Sequence, residues 1–290
     1  MTGEELIRRN LSSNGRALDL WRVTIPDELV IPSSVTRLSL SDVTIPYGLV
    51  IPSSVTALDL CDVTIPDGLV IPSSVTTLSF HDTVISDGLA IPFGVATLNL
   101  HGVTIPDGLV IPASVTELKL HRTAIPDGLV IPSSVAMLSL WDVTIPDGLV
   151  IPASVTTLDM SGSTIPGGLV IPVSVTKLDM WRAIIQDRLV IPTSVFTLDL
   201  SGAMIPDDLA ISASAITINL FEATILSGPI YTCERGYDLY TLPRSDGDRV
   251  FWAGCRQFYT RAEAIAHWGA STYPDRERGA AFVAAINAAF

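Results

Sequence analysis

The chain has 290 residues, and although 48% of them are apolar, no uninterrupted apolar stretch approaches the roughly 18 residues that a membrane span needs. Its formal net charge is −13; the stretch from Gly228 to Phe290 is neutral, with seven Lys+Arg and seven Asp+Glu, so the imbalance belongs to the residues before it. That acidity argues against a phosphate-backbone partner, which needs Lys and Arg, and fits either simple solubility or a basic protein partner.

The first predicted element is a short helix within residues 1–10. Thr2-Gly3-Glu4-Glu5 reads as a capping box, and the helix would run from Gly3 to about Arg9, with Leu6 and Ile7 available to pack on the neighbouring part of the chain. These residues lack the basic start and apolar run of a secretory signal. The default expectation is therefore a cytoplasmic protein, or one exported by another route or carried in a virion.

From residue 11 to 230 the chain repeats every 20 residues, typically as I-P-S-S-V-T-x-L-x-L-x-D-V-T-I-P-D-G-L-V. Full units begin at Ile31 and at every twentieth residue to Ile211, and a degenerate one begins at Leu11, which makes eleven. A unit this short cannot bury its own apolar face and must stack on its neighbours, so the period predicts a solenoid. Positions 5, 8 and 10 of the unit are apolar, and positions 8 and 10 alternate with polar neighbours, as in Leu78 and Phe80. This is the signature of a half-buried strand. Stacked strands would form a parallel sheet advancing about 4.8 Å per unit, roughly 50 Å in all. In Ile105-Pro106-Asp107-Gly108 the proline is expected to preset a type I turn, with the glycine last. Two prolines per unit exclude a helical return path, so an extended return is expected, with Leu109 and Val110 adding to the core.

Residues 231–290 break the period. Tyr237 to Phe258 reads as two strands around Arg244–Asp248. Thr260-Arg261-Ala262-Glu263 is a second capping box that opens a helix to about Trp268, and Pro274-Asp275 precedes a last helix with Ala281, Phe282, Ala285 and Ile286 on its apolar face. A ββαα segment of this size is marginal alone. It is expected to dock on the last coil as a capping or attachment segment, since an open parallel stack exposes an unpaired edge.

The spacing Val75, Leu78, Phe80, Ile85, repeated in the other units, resembles the L-x-x-L-x-L-x-x-N-x-L of leucine-rich repeats. The 20-residue length and leading Ile-Pro are similar to the short repeats of bacterial effector leucine-rich proteins, and I-P-S-S-V-T-x-L-x-L resembles the FNIP repeats of amoebae and giant viruses. The likeness covers about three quarters of the chain. It implies a mainly β, leucine-rich-repeat-like solenoid that binds protein through its sheet face, with no cofactor and no enzymatic activity. A parallel β-helix is the structural alternative. Where the family has Asn at position 13 this chain most often has Val, as in Val43, Val63 and Val143, and never Asn. The corner is therefore expected to be held by packing and proline rather than by an asparagine ladder.

Within the chain, core positions barely change while positions 7, 9, 11 and 12 vary. Position 11 holds Trp21, His81, His101, His121, Trp141, Trp181 and Phe221 among small residues, and position 9 is Asp, Ser, Asn or Lys. Exposed tryptophan is common in binding hot spots, so the expected partner-binding face includes Trp141, Trp181, Asp159, Asp179, Lys177, His81, His101, His121 and Lys119. The alternative is a structural component, a virion or surface-fibre spacer attached through its C-terminal segment.

Chemistry finds little support in the sequence. The three histidines would stand about 5 Å apart, a spacing at which two imidazoles can share a metal with Asp82 nearby. A flat row of nitrogens makes a poor tetrahedron, however, so they read as surface histidines and no metal is assigned. The Asp column at position 17 (Asp67, Asp87, Asp107, Asp127, Asp147) reads as turn chemistry rather than a calcium ladder. The Thr columns are too interrupted for a flat ice-binding array, and Cys255 with His267 is a weak case for a nucleophile and base. Three cysteines make no disulfide framework; Cys233 and Cys255 can pair in an oxidising compartment, and reduced thiols are the default.

Overall fold

The computed structural model describes residues 2–289 except 86–87, 211–216, 227, 230–237, 245, 254–255 and 259. Cys233 and Cys255, and with them the question of their pairing, lie outside the described residues, as does Asp87. The protein is a mainly β, leucine-rich-repeat-like solenoid of about ten to eleven coils. It forms two compact units, Met1–Val155 and Thr156–Phe290.

The first unit opens with α1 (Gly3–Asn10), whose capping box is made in both directions: the Thr2 hydroxyl accepts from the Glu5 amide, and the Glu5 carboxylate accepts from the Thr2 amide. Leu6 is buried. Strands β1 (Ala17–Trp21), β2 (Arg37–Ser41), β3 (Ala57–Cys61), β4 (Thr77–His81), β5 (Thr97–His101), β6 (Glu117–Lys119) and β7 (Met137–Ser139) pair in parallel. Every pair is offset by 20 residues, as in Leu58↔Leu78↔Leu98 and Leu60↔Phe80↔Leu100. Like residues therefore form columns. Val35, Val55, Val75, Val95, Val115 and Val135 at position 5 are fully buried, as are Leu40, Leu60, Phe80, Leu100, Leu120 and Leu140 at position 10.

The second unit continues the pattern with β8 (Thr157–Asp159), β10 (Lys177–Asp179), β12 (Thr197–Asp199) and β14 (Thr217–Asn219). It adds a short second parallel ladder from β9 (Thr164–Ile165), β11 (Ile184–Ile185), β13 (Met204–Ile205) and β15 (Thr224–Ile225). The C-terminal segment has three antiparallel strands, β16 (Tyr240–Pro243), β17 (Arg249–Ala253) and β18 (Arg256–Phe258), where the sequence predicts two. The extra strand is only three residues long, which leaves little pattern to read. Helices α2 (Arg261–Trp268) and α3 (Arg276–Ala289) cover this sheet, and Phe251, Trp268, Phe282 and Ile286 form their common core. The Gln257 side-chain amide donates to the Ile218 carbonyl in β14, joining the segment to the last repeat strand. No helix among the described residues is long and apolar enough to cross a membrane.

Three local features differ from expectation. First, the Pro-Asp-Gly turn closes from the Leu109 amide to the Pro106 carbonyl (3.2 Å), which places Pro first, Asp second and Gly third. Gly108 has φ +83°, the mark of a type II turn rather than type I. Second, Val110 is 75% exposed, and Val30, Val50, Val70, Val130 and Val150 are similarly bare. Position 20 is therefore an outer stripe and not part of the core.

Third, the coils are joined by a serine ladder. The position 4 hydroxyl donates to the position 5 carbonyl of the preceding coil in Ser54→Val35, Ser74→Val55, Ser114→Val95, Ser134→Val115 and Ser154→Val135, at 2.7–2.8 Å. Thr56 and Thr76 add weaker bonds one coil back, at 3.2 Å. Ser74→Ala is expected to cost about 1 kcal/mol. That would lower the thermal midpoint by roughly 2–4 °C, while Ser73→Ala, whose side chain is exposed, leaves it unchanged; circular-dichroism melts read the difference.

Candidate partner-binding face

The outward positions of the sheet are shaped by a bend that comes after each strand. Position 12 is left-handed along the first unit: Arg22, Asp42, Asp62, Asp82, Arg122 and Asp142 have φ between 48° and 55°, and Gly102 has φ +65°. Its amide donates to the position 11 carbonyl of the next coil, as in Asp62→His81 (2.8 Å) and Asp82→His101 (2.9 Å). The bias to Asp and Gly at this position is the sequence signal for it.

In the first unit the structure brings His81, His101, His121 and Trp141 into one column of rings. Centroids are 4.2 Å apart for His81–His101, 5.8 Å for His101–His121 and 5.8 Å for His121–Trp141. The two histidine pairs meet edge to face, at 69° and 67°, so the expected flat row does not form. His81 Nε2 lies 3.2 Å from the Asp82 carboxylate, and its Nδ1 lies 3.5 Å from Cys61 Sγ. His121 is turned the other way, with Nε2 2.8 Å from the Ser139 hydroxyl. The Arg122 guanidinium sits over the Trp141 ring at 5.5 Å and pairs with Asp142 at 2.9 Å. Lys119 pairs with Glu117 on its own strand at 2.8 Å.

The electrostatics disfavour a nucleophile here. Burial, a hydrogen bond to Asp62 and the neighbouring carboxylates push the Cys61 thiol up to about 11, so it is protonated near neutral pH. Burial also pushes the Asp59 carboxyl up, against the opposing pull of Ser79 and His81. Burial and the adjacent His81 hold His101 below the usual imidazole range. Surface depressions of about 570 Å³ near Pro66–Ala90 and 460 Å³ around Arg22 and Asp42 lie along the turns and include no ring of this column.

In the second unit the acidic column does structural work. Asp159 Oδ1 accepts from the Ser161 amide (3.0 Å) and hydroxyl (2.6 Å), Asp179 Oδ1 from the Trp181 amide (3.0 Å), and Asp199 Oδ1 from the Ser201 amide (2.8 Å). Asn219 does the same for Phe221 at 3.1 Å. Short acceptors at position 9 thus close each strand end onto position 11, which explains why that position is restricted to Asp and Asn in these coils. Lys177 is exposed and makes no ion pair among the described residues. Trp181 is 40% exposed, with Arg182 over its ring at 4.7 Å. The same arrangement recurs at Trp21 and Arg22, at 4.8 Å. Sequence reasoning missed these arginine lids, although Arg follows Trp directly at both sites.

No protein-family model matches the chain, and no curated protein matches it. Among solved structures it is similar to YopM from Yersinia enterocolitica WA-314, with 15% sequence identity and a TM-score of 0.43 over 68% of this chain. The match covers 53% of that protein, so this chain spans about half its length.

Proposed function

We infer that this chain is a non-catalytic protein-binding module that meets its partner through position 11 and its neighbours on the outward face of the sheet. The observation that carries this reading is the set of half-exposed aromatic rings held on a hydrogen-bonded ladder and backed by arginines. Aromatic and arginine side chains are the usual anchors of binding hot spots, and a rigid platform presents them at little entropic cost. The excess of carboxylates in the repeats favours a basic partner surface. The kinship to effector-type or FNIP repeats rests on the repeat motif itself. For an identified partner, Trp141→Ala and Trp181→Ala are each expected to weaken binding by roughly tenfold or more, while Val110→Thr on the outer stripe leaves it unchanged. Surface plasmon resonance with the full chain separates the cases, and unchanged affinity in both tryptophan variants would remove this face from the reading.

The bare valine stripe favours a second reading, a structural spacer. Unlike position 11 it hardly varies, as suits a surface that meets a repeating neighbour. Concentration-dependent association in sedimentation velocity, abolished by threonine at positions 110, 130 and 150, would support the spacer.

A further inference from the structure

We propose that His81, Asp82 and His101 form a binding site for a divalent transition-metal ion of the zinc class, with coordination positions left open to solvent. One donor atom from each of the three lies within 4.8 Å of the others. His81 Nε2 and the Asp82 carboxylate oxygen are 3.2 Å apart. This is close to the edge of a tetrahedron with metal–ligand bonds of about 2.0–2.1 Å, which is about 3.3 Å. The wider spacing to His101 closes by turning the imidazole about its soft terminal torsion. The rings stand 69° apart, and the carboxylate adds a third donor outside the column of rings. Two imidazoles and one carboxylate are a borderline donor set suited to zinc, and three protein ligands leave room for water or another donor.

Two further features single out this place among otherwise similar coils. The first is Gly102. Its left-handed backbone carries no Cβ, and a Cβ built there would fall 1.8 Å from Asp82 Oδ1. The missing side chain is the space that the Asp82 carboxylate occupies beside His101. The second is charge. Down the position 12 column, Asp42 is answered by Arg22 and Asp142 by Arg122, at 2.6 and 2.9 Å. Asp62 and Asp82 are flanked in that column by Asp42 and Gly102, and neither forms an ion pair with Lys or Arg among the described residues. Asp82 instead faces an imidazole. His121, bonded to Ser139, stands outside the set, and the Cys61 thiol meets the opposite nitrogen of His81. The inference does not depend on whether the sheet face binds a protein.

Titration of Zn2+ alone into the full, reduced chain, in competition with a chromophoric chelator, tests the site. One ion per chain is expected. Asp82→Asn and His101→Ala should each weaken binding at least about tenfold, the loss that even an outer-shell partner produces. Gly102→Ala should weaken it as well, by displacing the carboxylate, whereas His121→Ala and Cys61→Ser leave it unchanged. All these side chains lie on the surface side of the strands, so melting curves will show whether each variant is folded. Equal affinity in the wild type and the Asp82 and His101 variants would overturn the proposal. So would an equal loss in His121→Ala or Cys61→Ser.

Discussion

Phe80→Ala is expected to destabilise the protein by about 3–5 kcal/mol. Phe80 is completely buried and is the one phenylalanine in a position 10 column otherwise filled by Leu or Met in the coils around it. Its register partners are Leu60 on one side and Leu100 on the other. Both are pinned by parallel hydrogen bonds, so neither coil can slide inward to fill the hole. The loss therefore includes a cavity term as well as the transfer term. A thermal midpoint lowered by on the order of 10 °C is expected. Val50→Ala, on the exposed stripe, should stay within about 0.5 kcal/mol. Urea denaturation of both variants checks the contrast, and a loss below about 1 kcal/mol for Phe80→Ala would mean that the stack relaxes around the gap.

Gly94→Ser should also destabilise, by roughly 1–3 kcal/mol, although it restores the residue that most coils carry. Gly94 occupies position 4, the rung of the serine ladder. A Cβ placed there would stand 2.4 Å from the Ser73 carbonyl oxygen and 3.2 Å from that of Val75. Both obstacles are backbone atoms of the preceding coil and cannot swing aside. Consensus reasoning predicts a gain of about 1 kcal/mol from the recovered repeat residue; the geometry predicts the opposite sign. The shift of the denaturation midpoint decides between them.

Much of the architecture is legible in the sequence because the buried columns scarcely vary, although the bare valine stripe at position 20 scarcely varies either. Val75, Leu78 and Phe80 announce a strand through spacing alone, and both capped helices are marked by their Thr-x-x-Glu pairs. Other features share a sequence signature with something else. A serine after Ile-Pro-Ser looks like turn chemistry whether or not its hydroxyl reaches the neighbouring coil. Val110 beside Leu109 looks like core, and only the turn geometry shows that it points out. At the site, the column His81, His101, His121 is visible as a 20-residue beat. Which two of the three converge is not. That depends on the left-handed backbone of Asp82, on the space left by Gly102 and on the Ser139 hydroxyl holding His121, none of which periodicity reports. Asp159 and Asp179 look like display positions because they face outward, yet their Oδ1 atoms are committed to the amides two residues on.

The serine ladder also sets a rule for length. Each rung reaches back one coil to an acceptor of the same kind, so excising residues 51–70, Ser54 among them, would bring Ser74 against the Val35 carbonyl that Ser54 bonds in the full chain. Every valine, leucine and isoleucine column would close up in register. Losing or gaining a single residue inside a strand would instead turn its buried side chains to water. The repeats can therefore grow or shrink by duplication and excision in steps of 20 residues, and the reach of the array becomes a property that selection can adjust without redesigning any contact.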